Sequence, residues 1–208
     1  MTIPLPRPRL DGPVALEAAL EQRLSERELS GEPASLATAA QLLWAAQGIT
    51  RGGKGRTAPS AGAHYPIELY LLAGRVTELA SGVYHYRPHH HDLIPGVTAD
   101  HLLVEVADAC FEQTWIAGAS LVVVITAVFE RTTVEYGERG NDYVLMEVGS
   151  VYQNLHLQAA ALGLGATVVG AFSGERITSV LGLPENHLPQ ALMPVGVALR
   201  WADRQGDG

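Results

Sequence analysis

A single cysteine, Cys110, occurs in the 208 residues, so no intramolecular disulfide can form. It lies in an apolar helical pattern, where a buried structural thiol is the expected reading, and it is given no catalytic role. Lysine is equally scarce: Lys54 stands alone among 14 basic residues, the others all being arginine. Those 14 face 22 acidic residues, and the net charge of -8 argues against nucleic acid or an anionic membrane as partner. A bound phosphate would have to be caught locally. No apolar run approaches the roughly 20 residues needed to span a bilayer, and residues 1–10 carry three prolines without a hydrophobic signal core. A cytoplasmic protein is expected, with a proline-rich lead-in over 1–13 and one folded domain over 14–208. No internal repeat or low-complexity tract interrupts it.

Apolar periodicity supplies the elements. Leu16, Leu20 and Leu24 predict an amphipathic helix over 14–29, with Arg23 and Arg27 one turn apart on it. Ser35 is placed to cap a second helix that Gly48 ends. Residues 50–62 lack periodicity and read as a loop. The sheet is expected to begin with a strand over 67–73, followed by a hairpin of 82–86 and 92–94 whose tip carries Pro88 and three histidines. A helix over 100–111, a β-branched central strand over 121–128 and a charged loop over 130–141 come next. Between Glu147 and Glu175 there is no charged side chain, so 143–162 reads as a buried central helix. Along it Glu147, Ser150, Asn154 and Gln158 form one polar stripe, while its small residues suit a large apolar dimer interface. Strands over 167–171 and 190–200, with a short helix near 177–181, close the pattern.

Four strings are candidates for chemistry. In RLSER, Arg23, Ser25 and Arg27 could converge on a phosphate through charge-assisted hydrogen bonds, or could simply be a solvated helix face. In RTAPSAGAHYP, Pro59 and Gly62 shape a turn where Ser60 offers a hydroxyl and Ala61 allows close approach of a flat ligand; the alternative is a plain connecting loop. GLGATVVGAF has its glycines at the end of a helix and before a strand, the reverse of a dinucleotide fingerprint, so Gly163 and Gly165 read as a helix cap and Gly170 as an exposed backbone N–H. GGKGRT lacks the spacing of a phosphate loop. His85, His89, His90 and His91 read as histidines of a hairpin tip, with no metal site expected.

Taken in order, RLSER, APSAGAHYPIELYLL and YVLMEVGSVYQNLHLQAAALGLG followed by VVGAF resemble the nitroreductase family, and more closely its SagB/McbC-type branch of peptide azoline dehydrogenases. GVYHYRPHHHDL is similar to that branch's hairpin. The resemblance spans about 14–200 and implies an α+β fold with a central, mainly antiparallel sheet flanked by helices, forming a homodimer with FMN at the interface. It implies that Arg23, Ser25 and Arg27 hold the FMN phosphate and ribityl chain, that Pro59, Ser60 and Ala61 approach from the other subunit, and that Val169, Gly170 and Ala171 line the isoalloxazine. Arg200 or Arg204 would complete the phosphate site. Ser150 stands where the branch commonly has histidine and Asp142 where arginine is frequent. Lys54, His64, Tyr65 and Tyr143 are the candidates for a general base.

The implied function is an FMN-dependent oxidoreductase with ping-pong hydride transfer through flavin N5. NAD(P)H would reduce the flavin and a nitroaromatic or quinone accept the electrons, or a peptide thiazoline or oxazoline would be oxidised. The alternative is a non-catalytic flavin-binding or structural partner within a peptide-modifying complex.

Overall fold

A computed structural model describes residues 1–199. Its elements in chain order are β1 (Ile3–Pro4), α1 (Leu16–Gln22), α2 (Leu36–Gln47), β2 (Ile49–Thr50), β3 (Gly55–Arg56), β4 (Ile67–Ala73), β5 (Gly82–Arg87), β6 (Asp92–Pro95), α3 (Leu102–Ala109), β7 (Leu121–Ala127), α4 (Glu130–Tyr136), α5 (Arg139–Ala161), β8 (Gly165–Ala166), α6 (Gly174–Leu181) and β9 (Leu188–Gly196). Seven strands form one sheet in the order β1-β6-β5-β4-β7-β9-β8, every paired neighbour antiparallel. β2 and β3 form a separate small hairpin.

β4 and β7 pair through seven residues, with Leu71 opposite Val123, and read as almost continuous apolar runs because both of their faces are buried. The two-residue period of a strand divides them between two cores. Leu69, Leu71, Val123 and Ile125 face a core closed by α2 and α5. Tyr70, Leu72, Val122 and Val124 face a second core closed by α3 and α6. The thiol of Cys110 is buried in this second core, and burial pushes it up to about 11, which keeps it protonated and inert.

Helix ends follow the expected chemistry. Ser35 Oγ accepts the Thr38 N–H at 3.1 Å at the start of α2, and the Gly48 N–H donates to Trp44 O at 2.7 Å at its end. A side chain at Gly48 would lie 2.1 Å from Trp44 Cδ1, so glycine is required there for close approach. The 23 residues of α5 make a rod about 34 Å long. Val144, Val151, Leu155 and Ala159, all fully buried, turn one stripe toward the sheet. At its C-terminus Gly163 takes φ +71°, and the N–H groups of Gly163 and Leu164 bond back to Ala160 and Ala159.

Several expectations are corrected. The first helix stops at Gln22 rather than Leu29, because residues 25–29 pair with the sheet edge instead. Its leucines do not enter the core of the subunit: Leu16, Leu20 and Leu24 are 61%, 51% and 45% exposed. Residues 130–141 are not a loop but α4 and the start of α5, separated by Gly137. Their charges are spent on contacts, Arg131 on Glu68 at 2.6 Å and Arg139 on Asp142 at 2.5 Å. The sheet begins at β1 within the proline-rich lead-in, with Pro4 on an edge strand where its missing N–H is tolerated. Residues 167–171 form no regular strand; Val169 makes a single bridge to Leu192.

Candidate active site

The segment 23–27 and the segment 165–171 are brought together at the β8 edge of the sheet. Ser25 bridges Ala166, the Glu26 N–H donates to Ala166 O at 3.0 Å, and Thr167 Oγ1 donates to Glu26 O at 2.5 Å. Gly165 lies in β8 rather than capping α5, and a side chain there would meet Glu26 Cγ at 2.7 Å and Leu29 Cδ2 at 3.0 Å. His156, buried in α5, donates from Nε2 to Leu24 O at 3.1 Å; burial lowers its affinity for a proton, so it acts as a neutral clamp. It is the one histidine within the charge-free stretch, which is the signal that could have singled it out.

The arginine side chains of this edge make no hydrogen bond among the described residues. Arg23 closes α1 through its backbone, Arg27 stands 5.9 Å from the Trp115 ring, and neither arginine forms an ion pair among the described residues. They are not one turn apart on a helix, since both follow its end. Val169 is buried while Gly170 and Ala171 are exposed, and nothing lies within 4 Å of where a Gly170 side chain would be. Ala171 O is held by Gln113 Nε2 at 3.2 Å. Two guanidinium groups without an ion pair among the described residues therefore stand on the segment that pairs with Ala166, four residues before the exposed Gly170 backbone, and charge-assisted bonds to a phosphate are open to them. Arg200 and Arg204 lie outside the described residues.

Pro59, Ser60 and Ala61 are elsewhere. With Tyr143, Met146, Glu147 and Ser150 they line a pocket of about 260 Å³ to which none of the edge residues contributes. The Ser60 hydroxyl is turned inward, accepting the Tyr65 N–H at 2.8 Å and bonding to Glu147. Glu147 is 3% exposed and accepts from Gln47 Nε2 at 3.2 Å, while Arg56 Nη1 donates to Gln47 Oε1 at 2.9 Å. Burial pushes the Glu147 carboxyl above the usual range, against the opposing effects of Ser60, Gln47 and Arg56. The polar stripe of α5 is thus satisfied inside the subunit: Asn154 donates to Thr57 O and Gln158 accepts from Gln41.

The remaining candidates separate clearly. Lys54 is exposed on the β2–β3 hairpin, and Tyr65 lies under Arg56, whose guanidinium carbon is 4.3 Å from the ring centroid. His85 is not at the hairpin tip but inside β5, where its Nε2 meets Glu68 Oε2 at 2.7 Å. His91 is a turn residue whose Nε2 donates to Pro6 O at 2.8 Å and whose Nδ1 accepts from Tyr86; His89 and His90 are exposed. The network of Glu68, Arg131 and His85, spread over more than sixty positions, carries no sequence signal.

The model of the nitroreductase family matches residues 20–197. The chain belongs to that family. This nitroreductase-family chain is 42% identical over 183 residues to a predicted nitroreductase of Methanocaldococcus jannaschii, covering 88% of the chain and 91% of the relative. A solved nitroreductase-type structure from Ralstonia eutropha superposes with a TM-score of 0.81 at 30% identity, covering 95% of this chain and 89% of the other. The microcin B17-processing protein McbC of Escherichia coli is 29% identical over 140 residues, which are 64% of this chain and 51% of McbC. In the solved McbBCD complex with truncated pro-MccB17, the match has a TM-score of 0.73 and covers 92% of this chain and 76% of that one. The resemblance to the McbC-type branch is therefore one of sequence and of fold, although the chain spans about half of McbC by sequence.

Proposed function

We propose that the chain is an FMN-dependent oxidoreductase acting as a homodimer, with each flavin held between subunits. The observation that carries this reading is the pairing of the segment that holds Arg23 and Arg27 with Ala166, close in sequence to the open backbone of Gly170. Their guanidinium groups would bind the phosphate, Ser25 the ribityl chain, and Val169, Gly170 and Ala171 the ring system. Pro59, Ser60 and Ala61, lining a separate pocket in their own subunit, would face the flavin of the partner. The inward Ser60 hydroxyl leaves small side chains and backbone for that contact.

Dimer formation would cover the apolar surface that the single subunit leaves bare. Leu16, Leu20 and Leu24 on and after α1, and Leu145 and Met146 on α5, are all between 45% and 61% exposed. When bound, FMN supplies two-electron hydride chemistry at N5. The residues of the chain contribute binding, orientation and exclusion of water. NAD(P)H is the proposed donor and a quinone or nitroaromatic the proposed acceptor. Oxidation of a peptide azoline is a second reading, favoured by the similarity to McbC.

Steady-state oxidation of NADPH with menadione, after loading with FMN, tests the proposal. Parallel double-reciprocal lines are expected for ping-pong turnover. An FMN-loaded dimer without any NADH or NADPH turnover would instead support a non-catalytic or azoline-directed role.

A further inference from the structure

We propose that His64 is the proton donor of this reaction and Glu135 the residue that positions it, so that the acceptor takes a proton on oxygen together with a hydride. Quinones and nitro groups are acceptors of that class. The assignment rests on the flavin-dependent reading above.

His64 belongs to the loop that carries Pro59, Ser60 and Ala61. Tyr143 lines their pocket, Tyr136 meets Tyr143 edge-on at 5.1 Å, and His64 meets Tyr136 edge-on at 5.9 Å, so one aromatic wall runs from the pocket to the imidazole. Nε2 of His64 donates to Glu135 Oε2 at 2.7 Å, across 71 positions of sequence. Nδ1 has no hydrogen-bond partner among the described residues, and the side chain is 27% exposed.

The loop is bent to hold this ring. Gly62, Ala63 and Tyr65 take φ of +58°, +56° and +48°, so two residues with side chains adopt left-handed backbone on either side of His64. Such strain persists only where the surrounding structure enforces it, and it clusters at functional sites. A side chain at Gly62 would lie 2.7 Å from the imidazole and 2.9 Å from the Tyr136 hydroxyl. Tyr65 is tied down on both sides, its N–H to Ser60 and its carbonyl to Arg131 Nη1 at 3.0 Å. Lys54 has no comparable restraint, and Tyr65 is covered by Arg56.

A bound flavin would supply the hydride, taken with its two electrons from NAD(P)H, which would leave as NAD(P)+. A quinone would take that hydride together with one proton from the Nδ1–H of the imidazolium, and would become the hydroquinone. The ring, still bonded through Nε2–H to Glu135, regains its proton from water.

Two measurements test this. In the flavin-free protein, nitrogen-15 shifts of the neutral His64 ring should show the proton on Nε2 and Nδ1 bare, and Glu135→Ala should lose that preference; a wild-type ring protonated on Nδ1 would overturn the proposal. In the FMN-loaded dimer, His64→Gln should lower kcat with NADPH and menadione about 100-fold, abolish the solvent deuterium effect and keep FMN content unchanged. Added imidazole should partly restore His64→Ala. A flavin-bound His64→Gln dimer with wild-type kcat would overturn the role of His64 alone, whereas failure of the wild-type protein to take up FMN would overturn the flavin reading and this role with it. Glu135→Ala, at an exposed helix position, provides the same kinetic test if His64→Gln does not fold.

Discussion

Residues 23–27 are fastened to the sheet edge by their backbone, through Ser25, Glu26 and Ala166, and leave two guanidinium groups without an ion pair among the described residues. The pocket under Pro59–Ala61 is fastened by side chains, the buried Glu147 and Gln47 with the half-buried Arg56 and Ser60, and leaves backbone and small side chains free. The difference decides how each region responds to change. Where the backbone holds the shape, a presented side chain can be removed at little cost to folding. Where side chains hold it, each removal strands a buried polar partner.

The largest effect is expected at Glu147. Replacing it with alanine leaves Gln47 and Arg56 facing an unfilled polar site and should cost about 3 kcal/mol in urea unfolding. A loss below about 1 kcal/mol, the size of an ordinary hydrogen bond, would break the contrast. Next is Gly165→Ala at the edge, where the added Cβ collides with Glu26 and Leu29; overpacking of this kind should cost about 2 kcal/mol and displace the segment that carries Arg23 and Arg27.

Titration sharpens the same comparison. Burial alone would raise Glu68, but hydrogen bonds from His85 and Arg131 outweigh it and hold the carboxyl at about 2. Its folded value is depressed, so it stabilises the fold above the ordinary carboxylate range, a contribution lost as the pH falls toward 2. Glu147 has the opposite sign: its raised value means that stability is lost as the pH rises through the carboxylate range. Urea midpoints measured across acid pH should show a shallower fall for Glu68→Gln. For Glu147→Gln the loss on raising the pH should disappear.

The smallest expected effect on stability is that of Arg23→Ala, within about 0.5 kcal/mol, because its side chain makes no hydrogen bond or ion pair among the described residues. The same substitution should weaken FMN about 10-fold by removing a charge-assisted contact to phosphate. Equilibrium flavin titration reads the second number and urea unfolding the first.

How much could be read in advance depended on the distance over which each residue is satisfied. β4 and β7 were legible because burial on both faces leaves uninterrupted apolar runs, and α2 because Ser35 and Gly48 act within one turn of themselves. The end of α1 was not, because residues 25–29 surrender helical periodicity to an edge some 140 positions away. α4 looked like a loop because its charges meet Glu68 and the Tyr65 carbonyl across the fold. The leucines of α1 have helical spacing but no core to enter, which periodicity alone cannot reveal. In the candidate site, the strings that carry Arg23 and Arg27 and residues 163–172 were legible, and the structure pairs Ser25 of one with Ala166 of the other. The pairing of His64 with Glu135 and the clamp by His156 depend on contacts that no local pattern encodes.

The visible spectrum of the purified protein, with its native mass and the mass of any released chromophore, decides whether the chain holds a flavin between subunits. Flavin absorbance, release of FMN and a dimer carrying one FMN per subunit are expected. A colourless protein that takes up no added FMN would contradict the flavin-dependent reading.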